Sequence, residues 1–264
     1  EILFVGAEGR MEMERVPKAG YKIEGLPVRG LDRKRPWRNF KVLLDFLRSE
    51  QKAKKLVREF NPQVVVGVGG YASAPTLRAA QRLGVLTLIQ EQNSFAGKAN
   101  KMLATRAKYI CVAYPNMDRF FPKESIILTG NPVRPILEDS PLPDRIEALA
   151  RFGFTDEEYP LLMVVGGSLG ARTINESIEA GLALLMENKI RLIWQTGKAF
   201  ASRAQDAIKA LGPDAVQWIV SMPFIDHMED AFSCADAVVS RAGATTISEL
   251  CLLGKPSILV PSPN

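Results

Sequence analysis

Short runs of Val, Ile and Leu alternate along the chain with longer stretches in which apolar residues recur every three to four positions. The first pattern is that of strands buried on both faces and the second that of crossover helices, so the spacing predicts a mainly parallel sheet in an α/β fold. Strands are expected at Ile2 to Val5, Val64 to Val68, Val85 to Gln90, Tyr109 to Val112, Ser125 to Leu128, Leu161 to Val165, Arg191 to Gln195, Val216 to Ile219, Ala237 to Val239 and Ser257 to Val260. Most end in Gly, Pro or a polar residue, where loops at the carboxyl edge of such a sheet carry ligands. Between Glu138 and Pro160 the pattern gives way to Pro141, Pro143 and acidic residues, which places a domain junction near Arg134 to Pro160 and divides the chain into halves at 1–134 and 135–264. Glu1 already stands in a strand, and Pro261 to Asn264 follows a strand with no covering helix. Both ends therefore read as incomplete, as in a fragment or a chain lacking mobile ends.

From Trp37 to Phe60 the helical period puts Leu43, Phe46, Ala53, Leu56, Val57 and Phe60 on one side, as for a face packed on a sheet. Trp37, Phe40, Leu44 and Leu47 form a second cluster beside Lys41, Arg48, Lys52 and Lys55. A peripheral protein meets anionic lipid head groups in this way. A solvated basic face over a wide core stripe is the alternative.

Composition narrows the class. With 47% hydrophobic and 24% charged residues the chain is globular, which excludes disorder and collagen. Its net charge of +5 favours an anionic ligand or surface and is too mild to imply nucleic acid. No apolar stretch reaches the roughly 18 residues of a membrane span, and the charged start Glu1 to Glu14 is not a signal peptide. Cys111, Cys234 and Cys251 are far apart with no CxxC pair, which speaks for a reducing, cytoplasmic compartment and against a zinc site.

Three Gly-rich loops carry the candidate chemistry. Gly67-Val68-Gly69-Gly70-Tyr71-Ala72 follows a strand, with Glu91 about 20 residues on, which fits either a dinucleotide turn or a tight turn beside another ligand. Gly166-Gly167-Ser168-Leu169-Gly170-Ala171 leads into a helix with Ile174, Ile178 and Leu182 on one face. It is an anion cradle without the Gly-Lys-Ser/Thr of a P-loop, or else an ordinary strand-to-helix turn. Gly243-Ala244-Thr245-Thr246 repeats the arrangement, and Glu249 could accept two ribose hydroxyls or simply stand exposed where it favours the helix dipole. Two such loops in one half, without a metal constellation, suit the diphosphate of a nucleotide sugar. In the first half Gln90-Glu91-Gln92-Asn93-Ser94 and Gly130-Asn131-Pro132-Val133-Arg134 offer amides, a carboxylate and a guanidinium for sugar hydroxyls or an anionic acceptor, though Asn-Pro is also plain turn chemistry.

With Gly9-Arg10-Met11-Glu12, Glu91-Gln92-Asn93, Phe224-Ile225-Asp226 and Ser248-Glu249, these motifs follow the order found in the MurG family of peptidoglycan N-acetylglucosaminyltransferases, glycosyltransferase family 28, which the chain resembles along essentially its whole length. The resemblance implies a GT-B architecture of two Rossmann-like parallel-sheet domains facing across a cleft, acting without cofactor or metal. It implies inverting transfer of N-acetylglucosamine from UDP-N-acetylglucosamine to an undecaprenyl-diphosphate-linked N-acetylmuramoyl-pentapeptide, at the cytoplasmic face of the bacterial inner membrane, with no nucleic-acid partner. Ile225 would meet the uracil, Glu249 the ribose, and Ser168, Ala244, Thr245 and Thr246 the diphosphate. Asn93 and Arg134 would lie in the cleft, and the Gly67 to Ala72 turn would serve the acceptor. The chain departs from the family in lacking its first strand, its His-bearing loop and a Gln-bearing segment after Asn264. Leu169 replaces a frequent glutamine, Gln90 replaces a frequent histidine, and the single histidine, His227, falls at a helix start, so no general base is named. A UDP-N-acetylglucosamine 2-epimerase-like isomerase and a noncatalytic nucleotide-sugar-binding fragment are the other classes compatible with the motifs.

Overall fold

The computed structural model describes residues 1–30, 39–138, 141–167 and 169–262, so Trp37 and Ser168 lie outside the described residues. The chain divides into two compact units, Glu1–Asn131 and Pro132–Asn264. In the first, β1 (Leu3–Ala7) and β2 (Lys22–Leu26) pair in parallel, joined by α1 (Glu12–Lys18). β2 escapes the periodicity because Lys22, Glu24 and Gly25 interrupt its apolar residues. A second parallel sheet holds β3 (Val64–Gly67), β4 (Leu86–Glu91), β5 (Tyr109–Val112) and β6 (Ile126–Leu128) in sequential order. The other α-helices described in this unit are α2 (Asn39–Phe60), α3 (Ser73–Arg82) and α4 (Lys98–Leu103), and Leu77, Ile89, Leu103 and Ile110 lie in its core.

On α2, Ala53 and Val57 are buried as expected, but Leu43 is 56% exposed. The inward positions in its first half belong to Asp45, Ser49 and Glu50. Arg78 lies 3.5 Å from Glu50, Arg82 of α3 also engages that carboxylate, and Asp45 lies 3.7 Å from Arg29. Buried carboxylates held by cations occupy the face that a count of apolar side chains assigns to Leu43.

The second unit contains α5 (Pro135–Glu138), α6 (Arg145–Arg151), β7 (Leu161–Val165), α7 (Arg172–Glu187), β8 (Arg191–Gln195), α8 (Ala201–Ala210), β9 (Ile219–Met222), α9 (Met228–Cys234), β10 (Ala237–Arg241), α10 (Ala244–Leu252) and β11 (Ser257–Val260). Its strands form one parallel sheet in the order β11-β10-β7-β8-β9. Met163, Val165 and Ile193 face one core with Phe232 and Leu250, while Val164, Leu192 and Trp194 face another with Ile174 and Leu182. That alternation explains the unbroken apolar strands. The strand expected at Val216 to Ile219 starts later, because Pro213–Gln217 winds into a short 3-10 turn after Gly212 and the Trp218 N–H bonds back to Ala215.

Candidate functional site

β7 opens the second sheet with β8 on one side and β10 on the other. The chain leaves β7 through α7 toward β8 and leaves β10 through α10 toward β11, in opposite directions along the sheet. The carboxyl ends of β7 and β10 are therefore a topological switch point, where open parallel sheets hold ligands. The helices that begin there are uncapped by side chains: neither Ala171 nor Gly243 caps its helix, and neither first turn contains an acidic residue. At α6, by contrast, Asp144 accepts the N–H groups of Ile146 and Glu147. The first N–H groups of α7 and α10 thus keep their hydrogen-bonding capacity and partial positive charge for an anion. Arg241 Nη2 donates to Thr173 Oγ1 at 2.8 Å and ties the carboxyl end of β10 to the start of α7.

Of the residues expected at the diphosphate, Ala244 and Thr246 are half-buried and Thr245 is exposed in the first turn of α10. Glu249, one turn further, is 3% exposed. That burial removes the alternative of a solvated carboxylate favouring the helix dipole. Arg134 Nη1 donates to Glu249 Oε1 at 2.5 Å, so these two expected site residues meet within the second unit. Burial pushes the Glu249 carboxyl above the ordinary carboxylate range, and the charge and hydrogen bond of Arg134 oppose the rise. Ile225 is 2% exposed, and its side chain belongs to the core. A nucleobase would therefore meet its backbone.

Gln195 is a residue that motif reasoning passed over. At the carboxyl end of β8 and 1% exposed, it donates from Nε2 to the Gly167 carbonyl at 2.9 Å and accepts the Ile225 N–H on Oε1 at 2.9 Å. One buried amide thus joins the Gly-rich loop to the backbone of Ile225. Its neighbour Thr196 has its carbonyl bound by Asn175 Nδ2 at 2.7 Å, and Asn175 Oδ1 accepts Trp194 Nε1–H at 3.0 Å. The loop rests directly on this strand end: a Cβ on Gly170, at φ +79°, would lie 2.2 Å from the Thr196 carbonyl oxygen. Only glycine fits there. The available signal was a polar Gln-Thr-Gly closing an apolar strand, the same signal that singled out Gln90 to Gln92.

In the first unit, buried Glu91 accepts the Asn93 N–H (3.1 Å), Asn93 Nδ2 (3.2 Å), the Gly97 N–H (2.9 Å) and Asn100 Nδ2 (2.9 Å). Asn93 itself is exposed. Gln90 Nε2 donates to Asn131 Oδ1, and Asn131 Nδ2 donates to the Gln92 carbonyl, so the two amide-bearing loops are locked together. On α2, Phe40, Leu43, Leu44 and Leu47 are all exposed at i, i+3, i+4 and i+7, a single apolar stripe. His227 precedes α9, exposed, with Nδ1 3.2 Å from Glu229. Among the described residues no group of three His, Cys, Asp or Glu side chains is arranged to hold a metal ion.

The fold defines the class as a two-domain α/β protein of GT-B type, with two helix N-termini uncapped by side chains at the switch point of its second unit. The glycosyltransferase family 28 N-terminal domain matches residues 1–112, and the family 28 C-terminal domain matches residues 161–264. A UDP-N-acetylglucosamine–N-acetylmuramyl-(pentapeptide) pyrophosphoryl-undecaprenol N-acetylglucosamine transferase of Porphyromonas gingivalis is 57% identical over 264 residues, all of this chain and 69% of that protein. Its Bacteroides fragilis namesake is 55% identical over 265 residues, again 69% of its length. The crystal structure of Acinetobacter baumannii MurG superposes with a TM-score of 0.68 at 27% identity, covering all of this chain and 71% of that one. A UDP co-structure of S. aureus MnaA has a TM-score of 0.61 at 13% identity, with 99% of this chain and 80% of that one covered, a likeness of fold alone. The chain belongs to glycosyltransferase family 28, within the MurG family.

Proposed function

We propose that this chain transfers N-acetylglucosamine from UDP-N-acetylglucosamine to an undecaprenyl-diphosphate-linked N-acetylmuramoyl-pentapeptide, the step from lipid I to lipid II in peptidoglycan synthesis. The names of its relatives at 50–57% identity support the substrates. The observation that carries the reading is the pair of uncapped helix N-termini at the switch point of the second unit, with Glu249 buried one turn into α10. The N–H groups receive the diphosphate, helped by Thr245 and Thr246, and Glu249 receives the ribose. As the acceptor hydroxyl oxygen attacks the anomeric carbon, losing its proton to a base or to solvent, and UDP departs with inversion, the same N–H groups take up the charge that develops on the leaving diphosphate. The first unit serves the acceptor through the loop after β3 and the amides anchored by Glu91.

The lipid acceptor calls for a membrane surface. No helix among the described residues is long and apolar enough to cross one. The exposed stripe on α2, beside Lys41 and Arg48, supports attachment from the cytoplasmic side to anionic lipid. The test is product analysis: labelled UDP-N-acetylglucosamine incubated with the lipid-linked acceptor should yield labelled disaccharide lipid and UDP in equal amounts. Acceptor-independent release of the epimeric sugar would overturn the reading in favour of an isomerase.

A further inference from the structure

The loop from β4 to α4 bears, two residues after Asn93, a cluster of rings and cations that the donor chemistry does not use. Phe95 is 68% exposed, and its ring meets the half-buried Phe120 edge to face with centroids 4.8 Å apart. Lys101 of α4 sets its Nζ 4.7 Å from the Phe95 centroid and 5.0 Å from that of Phe120. Arg119, at the end of a short 3-10 turn Met117–Arg119, lies over Phe120 at 4.7 Å and donates from Nη2 to the Ser94 carbonyl at 2.9 Å. At such distances the faces of aromatic rings attract cations and hold them in place. Arg119 thus fixes Phe120 against the loop, and the two rings fix Lys101. Among the described residues Lys101 has no ion-pair partner, whereas the surface residues Arg172 and Arg203 each have a glutamate. Glu91, at the root of the loop, already accepts four N–H groups. The Lys101 ammonium therefore keeps its donors for an anion from outside the fold.

The surroundings narrow the choice of anion. A surface that enters a bilayer presents bare apolar side chains and keeps its cations at the rim. Here Lys101 lies against both rings and Arg119 against one, so entry of Phe95 into hydrocarbon would drag charge along and desolvate it. A carboxylate borne on an apolar chain suits the cluster better, with its oxygens on Lys101 and its apolar part against the open side of Phe95. A peptide offers that combination at its carboxyl end. We propose that Phe95, Phe120 and Lys101 form a subsite for a carboxylate of the acceptor's peptide, with Arg119 as the residue that positions Phe120. The inference rests on the first unit serving the lipid-linked acceptor. It separates two tasks along one loop: Asn93 lies where the sugar is handled, and the peptide is held two residues further on.

The experiment is calorimetric titration of the 264-residue chain with a water-soluble acceptor, an N-acetylmuramoyl diphosphate on a short prenyl chain, in three forms. One bears the pentapeptide with free carboxylates, one the same peptide with its carboxylates amidated, and one no peptide. Wild type should bind the free acid about tenfold more tightly than the amide, the loss expected for one hydrogen bond between charged groups. Lys101→Met and Phe95→Ser should bind the free acid only as well as the amide, and Lys101→Arg should keep most of the difference. Phe95 is exposed, so Phe95→Ser leaves the core intact and decides the matter if Lys101→Met does not fold. A wild type that does not distinguish acid from amide would overturn the proposal, as would a Lys101→Met variant that still does. Sedimentation with phosphatidylcholine vesicles containing phosphatidylglycerol forms the second arm. Loss of vesicle binding in Lys101→Met with acid and amide still distinguished would assign the cluster to lipid head groups and overturn the peptide subsite. Equal binding of the peptide-free and pentapeptide forms would overturn the subsite alone, whereas a chain that binds none of the three would overturn the acceptor reading on which it rests.

Discussion

Gln195→Met replaces a buried amide by an apolar side chain of similar length and leaves two backbone groups without partners. In the native protein the amide pairs with the Gly167 carbonyl and the Ile225 N–H, both at 2.9 Å. An unsatisfied buried group costs about 1–3 kcal/mol, so the pair costs about 2–6 kcal/mol. Burial of the methionine offsets about 1–2 kcal/mol of this. The net destabilisation of about 0–5 kcal/mol, with a midpoint of about 2.5 kcal/mol, corresponds at that midpoint to a Tm lower by about 5–10 °C for a unit of this size. Because the lost bonds hold both the loop Gly166–Gly170 and the backbone at Ile225, UDP affinity should also fall by about tenfold, one decade per 1.4 kcal/mol. Gln195→Glu should be worse, since it keeps an acceptor for Ile225 but sets an oxygen against the Gly167 carbonyl and buries a charge. Thermal unfolding and calorimetric titration measure the two effects. A variant with wild-type Tm would refute the satisfied-amide account, and one with a lowered Tm but wild-type UDP affinity would refute the claim that Gln195 couples loop and nucleobase strand.

Glu249→Ala should weaken UDP binding at least tenfold and Ser168→Ala less, because backbone N–H groups still hold the phosphate, while His227→Asn should change little; titration with UDP ranks the three. Phe40→Ser combined with Leu44→Ser should lower sedimentation with anionic vesicles, and undiminished sedimentation would remove α2 from the membrane contact. Burial pushes the Cys234 thiol up to about 11 from an ordinary 9.0. The folded chain therefore keeps this proton when the unfolded chain has lost it, so stability should decline as pH rises from about 9 toward 11, and urea midpoints across that range measure it. At neutral pH exposed Cys251 should alkylate well before Cys234, and the reverse order would contradict the burial of α9.

The second sheet was legible because its strands are buried on both faces. Leu161–Val165 and Arg191–Gln195 carry no competing period, and their boundaries in the structure coincide with the apolar runs. Where a strand is interrupted by charge, as at Lys22–Leu26, the run disappears and the strand with it. The inner face of α2 failed for a related reason. Its first half is buried through ion pairs of Asp45 and Glu50 with arginines elsewhere in the fold, and those arginines cannot be matched to their carboxylates by counting positions. Leu43 was left outside although its spacing suits the core.

The same limit divides the parts of the candidate site. Backbone devices are local: a strand, glycines, then an amphipathic helix without a capping side chain can be read within a dozen residues, and the loops at Gly166 and Gly243 were found that way. That they lie side by side depends on strand order, because β7 and β10 are neighbours only through the reversal that places β10 on the far side of β7 from β8. Side-chain wiring is less local still. Glu249 looks from its position like an exposed carboxylate in the first two turns of a helix, and nothing near it in the chain announces the guanidinium that sits on it, 115 residues away. Burial turns Glu249 from a surface charge into one that calls for a partner, and Arg134 opposes the rise that burial imposes on its carboxyl. The chemistry assigned to Glu249 is thus a property of the pair with Arg134.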